Sequence, residues 1–387
     1  MQPGATNKLL IGALVLAAVG LETGYGWGGN RMYRRIISLS PATTAANFQV
    51  AVVLGATNFN YAHATPNGGD LLFTDISDGA LEHWVENWNA TGESKLWVKV
   101  AATNTSTIRL YYGDPSTNLV TAASNVFLRI IGQDSQSLKG SWNFDETSGT
   151  TVYDSSGDTN HGTASGTTIT NGKFGYARYY SATNSRVLIG SAPSCNFTTN
   201  DFSIEAWIRM NKSFTNTSCV IARYSGWPMW YFRVNNGNTL EARVRETQTG
   251  PNFAASDGGA MTTGVWSHVV VTYNRDGNMT RYVNGAVWGT PMDISVLNGS
   301  NLFTVYNLTI GNDHAYDQGF KDGEIDDARV YGDLLSPSEV ADLYNNQGYT
   351  TTNYPGRVLV RKCATPEPSL SLGAEIRFDR GTVFSTK

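Results

Sequence analysis

Oxygen-bearing side chains gather in one turn-rich stretch of the chain. Asp145, Asp154, Asp158 and Asn160 lie in DETSGTTVYDSSGDTN, and Asp326 stands much later, in EIDDARVY. Loop carboxylates and amides are hard donors of the kind calcium takes, six to eight at a time. A second reading is local: Asp154-Ser-Ser-Gly-Asp158 has the composition of a solvated turn, because Asp caps turns with its own side chain. A second chemistry is open to the tryptophans. Trp207, Trp227 and Trp230 could stack on pyranose faces while amides and charged groups read the hydroxyls. Trp207 sits in DFSIEAWIRM, where period-2 alternation sends Phe202, Ile204, Ala206, Ile208 and Met210 one way. Ser203, Glu205, Trp207 and Arg209 then point the other way, so Trp207 is a platform unless that face is covered too. Trp227-Pro228-Met229-Trp230 is flanked by turn formers and is the other aromatic candidate.

Nothing in the chain reads as catalytic machinery. The five histidines, His63, His83, His161, His268 and His314, are scattered. There is no H-E-x-x-H pair on a helix, no Ser/His/Asp order, and no glycine-rich loop opening a helix. The expectation is a protein that binds rather than one that turns over substrate.

The elements that must hold these groups are strands. The 387 residues include 40 glycines, 19 tyrosines and 10 tryptophans with only 16% charged residues, which describes a loop-rich, all-β chain of more than one domain. A net charge of −4 leaves no electrostatic footprint for nucleic acid. Asn235-Asn236-Gly237-Asn238 turns YFRV back into LEARV, and Asn284-Gly285 joins MTRYV to AVWG, the strongest short-range hairpin signal. Many short strands without an intervening helical pattern predict antiparallel sandwiches. One helix is predicted after the last strand. Ser336-Pro337-Ser338-Glu339 supplies N-cap, N1 proline and N3 glutamate; Val340, Leu343 and Tyr344 form the apolar stripe, with Gly348 as the stop.

At the other end, Lys8 precedes an apolar run from Leu9 to Leu21 that is too short for an ordinary membrane span. It fits the core of a secretory signal with Ala18-Val19-Gly20 at the cleavage site, or else a retained helix through which copies of the chain self-associate. Export brings two further expectations. Eight N-x-S/T sequons, at Asn89, Asn104, Asn196, Asn211, Asn216, Asn278, Asn298 and Asn307, would be glycosylation acceptors in a glycosylating organism. Cys195 and Cys219 could pair in a disulfide worth about 3 kcal/mol in the chain-entropy model, leaving Cys363 over; three reduced cysteines are the alternative.

Two stretches carry family resemblance. DLLFTDISDGALEHWVENWNATGESKLWVKVAATNTSTIRLYYGDPS resembles an uncharacterised module, a domain of unknown function, of archaeal and bacterial surface proteins. The resemblance runs from Tyr33 to Phe127, with Leu72 where an Arg is usual and Ala101 where a Pro is usual. From Gly140 to Tyr344, FDETSG, YDSSG, NHG, DFSIEAWI, WSHVVVTY, YVNG, LTIGN and GEIDDARVY resemble the laminin-G-like branch of the concanavalin-A-like lectins and glucanases. That resemblance implies a jelly roll, and implies that Asp326 in the final strand joins residues near the first strand around a structural calcium. It also sharpens the case against hydrolysis. Glucanases of this fold carry E-x-D-x-x-E, which puts two carboxylates on one strand face, whereas EIDDAR lacks the last member. The tail, YPGRVLVRK followed by PEPSLSLGAEIRF, resembles the ending of surface proteins that combine the two modules, with Cys363 in an aromatic's place.

The expected organisation is therefore an apolar segment and linker at 1–30, a sandwich module at 31–130, a jelly roll at 139–346 with one short C-terminal helix, and a β tail at 347–387 packing on a sandwich. The expected function is non-catalytic, at the cell surface or outside the cell: binding of glycan or of a neighbouring surface protein in adhesion or envelope assembly. The alternatives are a structural subunit of a surface layer, sheath or filament, and a carbohydrate-binding part of a polysaccharide-degrading system.

Overall fold

The computed structural model describes residues 30–119, 121–313 and 318–378. Leu9–Leu21 and His314 lie outside the described residues. No helix among those described is long and apolar enough to cross a membrane. The chain is almost entirely antiparallel β structure.

In the N-terminal sandwich one sheet runs Tyr33–Ser40, Thr107–Tyr112, Leu72–Thr74, Ala80–Leu81, and a three-stranded sheet of Phe48–Leu54, Ser94–Val100 and His83–Asn87 packs against it. Alternation fills the space between: Ile37 and Leu39 from the first strand, Val50 and Val52 from the second, Leu96 and Val98 from the centre of the small sheet. The outer edge of Tyr33–Ser40 is taken by the C-terminal tail. Ser369–Leu372 pairs with it antiparallel, Ile37 opposite Leu372 and Ser40 opposite Ser369, and Ile376–Arg377 extends the pairing. The tail covers an edge that would otherwise present unpaired backbone groups.

The second sandwich is a jelly roll of an eight-stranded and a nine-stranded sheet. Phe202–Met210 lies centrally in the larger sheet, between Trp266–Tyr273 and Gly323–Tyr331. Phe202, Ile204, Ala206, Ile208 and Met210 all enter the core between the sheets, as alternation requires. The Asn284-Gly285 turn has φ of 52° and 80° at its two central residues, the left-handed pair that a two-residue hairpin needs.

The back of the nine-stranded sheet is closed. The helix Pro337–Asn345 starts at Ser336, whose hydroxyl accepts from Glu339 N while the Glu339 carboxylate accepts from Ser336 N, so the predicted capping box forms. Val340 and Leu343 then pack with Val270, Tyr282, Tyr331 and Val358 on that face. Under this cover lies a buried polar network. Glu205 accepts from Arg329 Nη1 at 3.1 Å and from the Tyr331 hydroxyl, with His268 Nε2 at 3.0 Å. Arg329 also reaches Asp327 at 2.9 Å and Gly348 O at 2.7 Å, which ties the strand to the chain leaving the helix. A second three-stranded sheet, Gln347–Tyr349, Val358–Arg361 and Arg129–Ile131, bridges the sandwiches. There Trp84, Trp97 and Phe127 of the first half meet Leu359, Tyr349 and Tyr354 of the tail.

Candidate ligand-binding face

The closed back decides the fate of Trp207. Alternation does turn it away from the core, but it is only 2% exposed. The Lys173 ammonium stands 4.4 Å over its ring, Phe174 meets it edge-on at 5.8 Å, and His268 and Tyr344 flank it at 5.0 and 6.0 Å. The expectation that Trp207 is a sugar platform is corrected: the helix and the 171–176 turn already occupy its face. Trp230 is corrected as well. It shares inward parity with Phe232 and Val234, is fully buried, and packs on Phe202 at 5.6 Å and Phe197 at 6.1 Å. Trp227 alone of the three remains partly exposed, in the turn after Ser218–Arg223.

The outer face of the eight-stranded sheet is different. Across Met229–Val234 and Leu240–Arg245 the outward positions are Met229, Tyr231 and Arg233, then Glu241, Arg243 and Arg245, in antiparallel register. The signal for this lies in LEARVR, where Leu240, Ala242 and Val244 fill the core and the charged residues alternate with them. Tyr231 lies between two guanidinium groups, Arg233 at 4.7 Å and Arg243 at 5.9 Å from its ring. Arg243 donates to the Tyr231 hydroxyl at 2.8 Å and to Asn252 Oδ1 at 2.7 Å. Tyr224 approaches the Tyr231 ring at 5.7 Å, and Arg245 stands 5.6 Å over Trp227. At the other end Arg233 pairs with Glu241 at 3.0 Å and donates to Gln318 at 2.9 Å. Tyr231 is itself only 2% exposed, so the partly exposed Trp227 and Tyr224, beside these fixed donors on a face with no helix over it among the described residues, form the surface that can stack and hydrogen-bond a ligand.

Nearby, a polar cleft of about 480 Å³ opens at the end of the sandwich, lined by Lys212, Thr215, Asn216, Ser218, Gln318 and Lys321 among others. Lys212 is paired with Asp322.

The oxygen donors separate into two places. Asp154 is a loop keystone: it accepts from Ser141 N, Ser156 N, Ser156 Oγ and Asn160 N, each at 2.9 Å. Asn160 spends its amide on Lys139 O and Ser194 Oγ, and Asp158 is exposed on the turn. For Asp154 the metal expectation is corrected, because three backbone N–H groups and the Ser156 hydroxyl saturate its carboxylate. Asp145 and Asp326 do come together, at the 171–176 turn. Asp326 Oδ2 accepts from Lys173 N at 2.8 Å and Phe174 N at 3.0 Å, and Asp145 Oδ1 accepts from Tyr176 N at 2.9 Å. A Cβ on Gly172 would lie 2.5 Å from Asp326 Oδ2, and one on Gly175 2.1 Å from Asp145 Oδ1, so both glycines let the turn close over the carboxylates. Asp326 Oδ1 and Asp327 Oδ2 are buried without a hydrogen-bond partner. Burial, and then the charge of Asp327, push the Asp326 carboxyl well above the usual range; burial also carries Asp327 up to about 6 and raises Asp145. Among the described residues no three His, Cys, Asp or Glu side chains assemble into a metal-holding group.

The disulfide expectation is corrected. All three cysteines are free. Cys195 belongs to the core between the sheets, whereas Cys219 clusters with Ala222, Met229 and Tyr231 on the outer face, so a sheet separates the two thiols. Of the sequon asparagines, Asn196 and Asn307 are half-buried and the other six exposed.

Comparison with known families agrees with this architecture. Residues 181–341 match the model of the concanavalin A-like lectin/glucanases superfamily, and residues 67–157 match that of a domain of unknown function (DUF2341). No curated protein matches. Among solved structures, the binding domain of Paraclostridial Mosquitocidal Protein 1 is similar with a TM-score of 0.45 and 18% identity, over 57% of this chain and 55% of that one. The binding domain of botulinum neurotoxin serotype G gives 0.44 and 18%, over 55% and 53%. Domain 4 of AbnA, an extracellular arabinanase from Geobacillus stearothermophilus, in complex with arabinotriose, gives 0.39 and 22%, over 54% and 98%. The chain thus spans about half the length of the toxin binding domains it matches.

Proposed function

We propose that this protein is a non-catalytic, extracellular surface protein whose jelly roll binds glycan through the outer face of its eight-stranded sheet. The observation that carries the reading is an asymmetry. The nine-stranded sheet is sealed by the helix and the tail, while the eight-stranded sheet leaves Trp227 and Tyr224 partly exposed beside arginines, above the buried Tyr231, with no helix over them among the described residues. The match to the concanavalin A-like superfamily supports it. The acids support a non-hydrolytic role. Glu205 is engaged by Arg329, His268 and Tyr331, Glu324 by Arg209 and Asn211, and Glu241 by Arg233 and Asn235, so none of these three glutamates is free to serve in a pair that cleaves a glycoside.

Calcium belongs to the same proposal in a structural role. Asp145 and Asp326 would hold it, because the orphaned Asp326 Oδ1 and the crowding of like charges fit a cation there. The ion would neutralise that crowding and fasten the 171–176 turn to the last strand. The test is retention of the full chain on a panel of immobilised polysaccharides, with calcium and with chelator. Binding of at least one polysaccharide is the expected result; a blank panel under both conditions overturns the reading.

A second reading, a structural subunit of a surface layer or filament, is favoured by one observation: the tail and the Glu86 contacts lock the two sandwiches into a continuous unit. Mass spectrometry of the native N-terminus separates the two, since a start beyond Leu21 removes the apolar segment an assembly would use.

A further inference from the structure

We infer that the ligand of the eight-stranded face is an acidic polysaccharide, recognised by Arg243 and Arg245. The inference rests on the glycan reading above and goes beyond it by fixing the ligand's charge. Both arginines leave the same face of one strand, two residues apart, which places them about 7 Å apart along it. Their partners are neutral. Arg243 holds the Tyr231 hydroxyl and Asn252 Oδ1, Arg245 holds Gln248 O, and neither forms an ion pair with a carboxylate among the described residues.

The carboxylates of this face stand at its opposite end. Glu241 is engaged by Arg233 and Asn235, and Asp313 lies close to Cys219. Glu241, the next outward position along the strand, partly offsets Arg243, whereas Arg245 at the Trp227 end has no ion-pair partner among the described residues. Arg243 and Arg245 are both partly exposed, each beside an aromatic ring. Arg245 Nε and Trp227 Nε1 are buried donors without an acceptor. Guanidinium is weakly hydrated and matches carboxylate and sulfate geometry with two parallel donors. A pyranose ring on Trp227 that carried an acidic group would meet Arg245 and, one repeat along the strand, Arg243. A neutral glycan would leave the Arg245 charge desolvated against it without compensation.

The test uses the full chain and four polymers: polygalacturonate and dextran sulfate as carboxylate and sulfate probes, carboxyl-reduced polygalacturonate and dextran as their neutral partners. Affinity for an acidic probe is expected to exceed that for its neutral partner by about tenfold or more and to weaken between about 50 and about 300 mM salt. R243Q/R245Q is expected to lose about tenfold on the acidic probe with little change on a neutral one, and R243K/R245K to recover part of the loss, since charge returns without the planar fork. Circular dichroism and the thermal midpoint establish that each variant folds, and R245Q alone replaces the double variant if that does not. Which acidic probe binds tells carboxylate from sulfate recognition. Equal affinity for neutral and acidic polymers, or acidic binding unmoved by R243Q/R245Q, overturns the inference while the glycan reading stands. Binding to no polymer at all overturns both.

Discussion

The Tyr349 hydroxyl lies 2.9 and 3.0 Å from the two carboxylate oxygens of Glu86, a residue 263 positions earlier in the chain. Thr351 Oγ1 donates to Glu86 as well, at 2.6 Å, and Trp97 Nε1 at 2.8 Å. One buried carboxylate in the first sandwich thus collects donors from the strand and turn that follow the jelly roll's helix. Glu86→Ala strands these donors, each at about 1–3 kcal/mol when left unpaired. Calorimetry is expected to resolve two unfolding transitions in place of one, with the first sandwich melting earlier. A single unshifted transition would show that the junction carries no coupling.

Arg329 is 1% exposed between Glu205 and Asp327. Replacing it with Met leaves two buried carboxylates without their cation, a loss of about 3–5 kcal/mol by analogy with broken buried pairs. The double variant Glu205→Gln/Arg329→Met removes the stranded charge at Glu205 and is expected to recover part of that loss in chemical denaturation. No recovery would mean that the two side chains act independently.

His83 gives the first sandwich a pH dependence. It is 6% exposed and packs against Phe73 at 5.2 Å; burial, with some repulsion from Arg31, lowers its pKa from 6.5 to about 4. The folded state binds this proton less readily than the unfolded one. The stability is therefore fully present above pH 6.5 and is lost as pH falls through the interval down to about 4, on the order of 3 kcal/mol in all. His83→Gln should flatten the slope in that window. An unchanged slope would assign it to other groups.

Calcium is expected to raise the thermal midpoint of the jelly roll by about 5–10 °C at about 100-fold above its dissociation constant. Asp326→Asn should remove that response while leaving the acceptor for Lys173 N and Phe174 N in place. A midpoint indifferent to calcium and to chelator would reduce the Asp145–Asp326 pair to a turn clasp.

Much of this protein is legible in order along its chain, and for local reasons. DFSIEAWIRM sorts its side chains by parity, S-P-S-E starts a helix by satisfying that helix's first donors, and N-G closes a hairpin because both residues tolerate positive φ. Alternation also placed Trp207 outside the core and would have placed Arg243 and Arg245 there. What parity cannot report is what comes to rest on a face afterwards. Trp207 lost its candidacy to Lys173, Phe174 and Tyr344, and Asp154 lost its own to the backbone of its loop. Asp145 and Asp326 became neighbours because the first and last stretches of the jelly roll meet at one turn. Sequence by itself determined the strands, the helix start and the side each residue takes, because those depend on neighbours within a few positions. Which face stays open, which acids meet and which thiols are kept apart were decided by tertiary structure alone, since they depend on segments that pack from hundreds of residues away.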